Sequence, residues 1–192
     1  MIIPFVIAAL VIAADQISKY TVKSNMRLYE YLEPNPVKKI IEIHYIENEG
    51  ASFGILKDQR WIFMVLSTFA LILMCAAIVY LGQKKLRKHN IFINIALGLM
   101  FGGGVGNMID RFTNESVVKS GTKVVVDFLE FAFVDFATFN IADSFICIGS
   151  VLFCICMFAG KYKLRESKES NVNIDLNENN ENNENNENSE DL

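Results

Sequence analysis

Four long stretches of this chain are nearly free of charge: Ile2 to Ala14 with an amphipathic extension to about Val22, Trp61 to Leu81, Ile91 to Ile109, and Phe139 to Gly160. No other feature limits the possible folds so strongly. At about 1.5 Å of rise per residue, about 20 helical residues cross the roughly 30 Å hydrocarbon core of a bilayer, and at that length a buried soluble helix becomes the weaker reading. Asp15 interrupts the first stretch. No Lys or Arg precedes Ile2 and no A-x-A-type exit precedes Asp15, so this stretch reads as a retained helix rather than a cleavable signal peptide. The expected fold is an all-α integral membrane protein with four transmembrane helices.

Charge placement sets the orientation. With an even number of spans, both termini lie on one side. The connection after the second span carries Lys84, Lys85, Arg87 and Lys88, and the fourth span is followed by Lys161, Lys163 and Arg165. The positive-inside rule makes both cytoplasmic. The long first external loop is mixed in charge, with Lys23, Arg27, Lys38 and Lys39 among Glu30, Glu33 and Glu42. Within it, after the breakers Pro34 and Pro36, the alternation Ile41, Glu42, Ile43, His44, Tyr45 favours a strand, giving a small extracytoplasmic β element. Val124 to Phe131 in the other external loop suits a strand or the start of a helix. Residues 1–166 form the membrane domain. Residues 167–192, dominated by Asn and Glu from Asn171 onward, contain too little apolar surface to offset ordering entropy and read as a disordered cytoplasmic tail.

Several chemistries lose their candidates. Cys75, Cys147, Cys154 and Cys156 all fall inside the spans, where a thiol behaves as a small hydrophobe, so neither disulfides nor a metal pair is expected. His44 and His89 stand alone, without H-E-x-x-H or a serine partner. Gly102, Gly103, Gly104 and Gly106 lie within a span with no preceding strand, so they suit close helix packing rather than a nucleotide loop. The net charge of −4 is concentrated in the tail, and no basic surface suggests nucleic acid. No metal and no cofactor is expected.

What remains is a polar set gathered at one end of the spans. The first span ends with Asp15 and Lys19, the third with Asn107, Asp110 and Arg111, and the fourth begins with Asn140 and Asp143. Ionisable groups in spans cost about 2.5 to 3.5 kcal/mol each on insertion scales, so they normally face protein or water and are functional by default. Asp15 with Lys19, and Asp110 with a cation, could equally serve as pairs that hold helices together. Asp127 and Asp143 lack a basic residue at i+3 or i+4, and Asp127 breaks an apolar run. Two such carboxylates within about 4 Å repel by about 4 kcal/mol at an effective dielectric near 20, which separates their ionisations by about three pH units. One stays protonated while the other is charged, as an aspartic peptidase requires. A small ion-coupled transporter and a noncatalytic assembly factor are the rival readings. Clustering at one interface, without repeated halves, speaks against transport.

Five blocks then carry a resemblance. Asp15-Gln16-x-x-Lys19, Asn48-x-Gly50-Ala51-Ser52-Phe53-Gly54, Gly106-Asn107-x-x-Asp110-Arg111, Val125-Val126-Asp127-Phe128 and Phe139-Asn140-x-Ala142-Asp143 resemble, in order, those of bacterial lipoprotein signal peptidases. The resemblance covers about residues 5 to 160. It implies an endopeptidase of the bacterial cytoplasmic membrane, beside membrane lipid, that removes the signal peptide of a prolipoprotein before its diacylglyceryl-modified cysteine; because one chain supplies every site residue, a monomer is expected. By motif, Asp127 and Asp143 take the catalytic positions; Asn48, Asn107, Asp110, Arg111 and Asn140 line or brace the substrate site, which faces outward. Two departures stand out. Ser52 replaces a frequent alanine, and the stretch 113–123 reads as an insertion that places Asp127 16 positions after Arg111, leaving Asp110 as a rival partner for Asp143.

Overall fold

The computed structural model describes residues 2–33, 40–49, 60–83 and 91–159. Outside them lie Pro34 and Pro36, the block Gly50 to Gly54, the basic connection after the second helix and the Asn/Glu tail. Four helices and two strands are described: α1 (Ile3–Asn25), β1 (Ile41–Asn48), α2 (Arg60–Gln83), α3 (Ile91–Thr113), β2 (Val125–Phe131) and α4 (Ile141–Ala159). Three of the helices, α1, α3 and α4, are long and apolar enough to cross a membrane by length and composition, and α2 carries a shorter apolar stretch, Met64–Tyr80. The described residues up to Phe153 form one compact unit, and the end of α4 from Cys154 belongs to a second.

α1 buries Pro4, Ala8, Val11, Asp15, Lys19 and Val22, a single stripe at helical spacing, while Val6, Leu10, Ile17 and Tyr20 face outward. Apolar residues outside and an ionic pair inside suit a lipid surround. The helix runs three residues past the expected Val22, through Lys23, Ser24 and Asn25. α3 lies parallel to α1 and antiparallel to α4. Two glycines set these approaches. A Cβ at Gly106 would stand 2.6 Å from Asp15 Oδ2, and one at Gly103 would stand 2.5 Å from the Ala142 carbonyl oxygen, so only glycine admits the neighbour at either place. The parallel and antiparallel arrangement brings the end of α1, the end of α3 and the start of α4 together.

Over these helix ends lies an antiparallel pair, β1 with β2. Val124 to Phe131 is thus a strand rather than the start of a helix. Ile43 pairs with Leu129 and Ile46 with Asp127, so His44 and Tyr45 on β1 oppose Phe128 alone. This bulge bends the ladder one residue from Asp127. Val22, Tyr45, Val126 and Phe128 form the buried cluster that seats the strand pair on α1. His44, expected to play only a polar role, stacks on Tyr31 with ring centroids 3.9 Å apart, and its Nδ1 lies 2.8 Å from Glu130 Oε2. The four cysteines are free thiols, as their positions in apolar segments predict.

Candidate active site

A lysine buried between two helices organises the polar cluster. Lys19 Nζ lies 2.8 Å from Asp15 Oδ2, 2.9 Å from Asp110 Oδ2 and 2.9 Å from Asn107 Oδ1. Asp15 and Lys19 meet because an i,i+4 pair shares a helix face; Asp110 and Asn107 arrive from α3 through the space at Gly106. Gln16 Nε2 donates to Asp110 Oδ1 at 2.9 Å, and the Val126 backbone N–H donates to Asp110 Oδ2 at 3.3 Å. The Ala142 N–H donates to Asp15 Oδ1 at 3.0 Å, which ties the first turn of α4 to α1. Asp15 and Asp110 have no exposed surface, and Lys19 is 2% exposed. Asp110 is therefore occupied by Lys19, Gln16 and a β2 amide.

Asp127 and Asp143 are joined to each other through Asn140. Asn140 immediately precedes α4 and caps it: its Oδ1 accepts the Asp143 N–H at 3.0 Å, while its own N–H donates to Asp143 Oδ2 at 3.3 Å. That reciprocal pattern is a capping box with Asp143 at the third helical position. Asn140 also donates from Nδ2 to Asp127 Oδ1 at 2.7 Å and to Asn107 Oδ1 at 3.0 Å. Asn107 Nδ2 in turn donates to Asp143 Oδ1 at 2.7 Å. From β1, Asn48 Nδ2 donates to Asp127 Oδ2 at 2.9 Å. The last residue of the expected set, Arg111, donates from Nη1 to the Asn107 carbonyl at 2.9 Å, and the charges of Asp143, Asp127 and Asp110 act on its guanidinium.

The two outer carboxylates have different surroundings. Asp127 is 2% exposed, whereas Asp143 is half-buried and lies in the first turn of α4, where the helix dipole favours an anion. Burial, followed by the charge of Asp143, pushes the Asp127 carboxyl up from 3.8 to about 7, against the hydrogen bonds of Asn48 and Asn140 and the charge of Lys19. An acid raised in the folded state supports folding fully below its ordinary value, and that support is lost as pH rises through the folded value. The thermal midpoint of the wild-type protein, measured relative to Asp127→Asn, is accordingly expected to fall between about pH 4 and about pH 7. A difference that stayed constant over that range would contradict a raised Asp127.

The sequence-derived set thus comes together whole: Asn48, Asn107, Asp110, Arg111, Asp127, Asn140 and Asp143 all take part in one connected network. Sequence reasoning left Lys19 as a local partner of Asp15 and gave Gln16 no task of its own. In the fold Lys19 is also the cation for Asp110 and a donor to Asn107, and Gln16 binds Asp110. The signal for both was their spacing, which sets Gln16 and Lys19 three apart on the helix that carries Asp15.

An integral membrane protein whose helix ends and two-stranded sheet converge on a buried carboxylate, amide and cation network is the class that fold and site define. Residues 7–159 match the family described as Signal peptidase (SPase) II, and the chain belongs to that family, a group of proteases that act in lipoprotein processing. Lipoprotein signal peptidases of Streptococcus pyogenes serotype M5 (strain Manfredo) and serotype M18 (strain MGAS8232) are each 37% identical to it over 149 residues, covering 78% of this chain and 88% of theirs. Two bacterial membrane enzyme structures solved by the in meso method, at 2.3 Å and 1.9 Å resolution, superpose with TM-scores of 0.64 and 0.65 at 31% and 32% identity. These matches cover 82% and 80% of this chain and 88% and 91% of theirs.

Proposed function

We propose that this protein is an aspartyl endopeptidase that removes the signal peptide from prolipoproteins immediately before the diacylglyceryl-modified cysteine, with Asp127 and Asp143 as the dyad that activates water. The observation that carries the reading is the bridging of these two carboxylates by Asn140, which donates to both. Asp143 has open surface and a helix N-terminus behind it, and Asp127 is sealed and raised. That asymmetry supports Asp143 as the ionised member and Asp127 as the neutral one.

The chemistry follows from that division. The Asp143 carboxylate takes a proton from a water, and the water oxygen attacks the scissile carbonyl carbon. Asp127 donates a hydrogen bond to the developing oxyanion. As the tetrahedral intermediate collapses, the carbon–nitrogen bond breaks and a carboxyl proton passes to the leaving amine. Arg111 and Asn48 have surface from which to line the substrate, while Asn107, Asp110 and Asn140 are buried and brace the carboxylates.

All four helices span the bacterial cytoplasmic membrane in this reading, with both termini cytoplasmic and the dyad toward the outer face. A site at that interface receives an apolar signal helix laterally, and the acyl chains of the modified cysteine stay in lipid. One chain supplies every site residue, so a monomer suffices. The direct test is cleavage by the purified full-length protein in lipid. A diacylglyceryl-modified precursor is expected to be cut at the bond before that cysteine, and the unmodified precursor at least about 100-fold more slowly, as expected when remote binding energy is withheld from the reacting centre. Equal cleavage of both, or cleavage elsewhere, would overturn the assigned specificity.

A further inference from the structure

The connection between Arg111 and Asp127 is longer than the resemblance leads one to expect, and it folds into a small hairpin of its own. Glu115 bridges Lys123, the Ser116 N–H donates to the Thr122 carbonyl at 2.8 Å, and the Val124 N–H donates to the Asn114 carbonyl at 3.0 Å. Gly121 takes φ +76° at the turn, and the Glu115 carboxylate accepts from the Gly121 N–H and the Ser120 hydroxyl. The hairpin then docks on the end of β1. Glu47 accepts from Ser116 Oγ at 2.6 Å, from the Val117 N–H at 3.1 Å and from the Tyr45 hydroxyl at 3.0 Å. Lys119 Nζ reaches Glu49 Oε1 at 2.6 Å.

Between those two anchored glutamates stands Asn48. Side chains alternate along an extended strand, so Glu47 meets the hairpin on one face while Asn48 points to the other, where it donates to Asp127; Glu49, just past the strand, meets the hairpin through Lys119. Asn48 is also the last residue of β1, paired with Val125 at the end of the ladder. Strand ends fray readily unless something ties them down. We propose that the 114–123 hairpin is a clamp that fixes the end of β1 and thereby holds Asn48 against Asp127, with Glu47 the positioning residue through which it acts. Its kinetic consequence rests on the aspartyl dyad reading; its geometry does not.

The test uses the full-length protein in lipid and follows Asp127 itself by infrared spectroscopy of its protonated carboxyl band, assigned by its loss in Asp127→Asn. The charged groups facing Asp127 are Lys19 from α1, Arg111 from α3 and Asp143 from α4, and all stay in place in these variants. Asn48→Ala removes a donor to the carboxylate and is expected to move the titration to higher pH by about one pH unit. Glu47→Ala is expected to move it the same way by about half as much, to add nothing on top of Asn48→Ala, and to lower kcat about tenfold with KM within about twofold. Lys119→Ala, at a surface residue, shifts it less and in the same direction, and stands in if Glu47→Ala does not fold. A titration unmoved in both Glu47→Ala and Lys119→Ala, or unmoved in Asn48→Ala, overturns the clamp, as does full additivity of Glu47→Ala with Asn48→Ala. Should Asp127→Asn retain cleavage, the dyad reading fails while the infrared comparison still decides the clamp.

Discussion

Asp127→Asn and Asp143→Asn are each expected to lower cleavage of a lipidated precursor by about 1,000-fold or more, the scale at which positioned acid and base groups contribute. Either change leaves an isosteric amide within the Asn48, Asn107 and Asn140 network, so the variants should remain folded in the membrane. An amide can neither take the proton from water nor pass one to the leaving amine. The two substitutions together should cost little more than one alone, since the residues act as a unit. Asp110→Asn is the informative contrast. Its carboxylate is enclosed by Lys19, Gln16 and the Val126 amide, so this change should weaken the fold while the folded fraction keeps activity within about tenfold. Full activity in Asp127→Asn with none in folded Asp110→Asn would hand the dyad position to Asp110.

The second large effect is structural. Lys19→Met should destabilise the protein by about 3–5 kcal/mol, because it leaves two fully buried carboxylates, Asp15 and Asp110, facing each other without their cation. An exposed substitution typically costs about 0.5 kcal/mol or less, so thermal or denaturant unfolding in micelles separates the two cases. Neutralising the carboxylates as well, in Lys19→Met/Asp15→Asn/Asp110→Asn, should restore much of the loss, since the penalty comes from unpaired charge rather than lost volume. A single variant within about 0.5 kcal/mol of wild type would show that the triad does not hold the helix ends together. Activity should fall alongside stability, because Lys19 also donates to Asn107, which orients Asp143.

Much of this arrangement is legible in the amino-acid sequence. The apolar lengths of α1, α3 and α4 match the thickness of a bilayer, and an i,i+4 aspartate and lysine in so apolar a helix are expected to face inward. The alternation from Ile41 to Tyr45 indicated β1 for the same kind of reason, since a half-buried strand has period two. The strand identity of Val124 to Phe131 was not legible: an apolar β-branched run suits several states, and pairing with β1 selects one of them.

Local chemistry written along the chain therefore determined which segments are long and apolar enough to cross a membrane, where the polar residues cluster and which aspartates lack a neighbouring cation. Only the tertiary structure decided how those residues are shared. Lys19 serves Asp15, Asp110 and Asn107 together because α1 and α3 run parallel with glycine between them. Asn140 joins Asp127 to Asp143 because β2 lies over the start of α4, and the inserted hairpin reaches Glu47 because the strand pair turns that residue outward. Residues far apart in sequence acquire partners only when packing fixes distance and direction, and a hydrogen bond depends steeply on both.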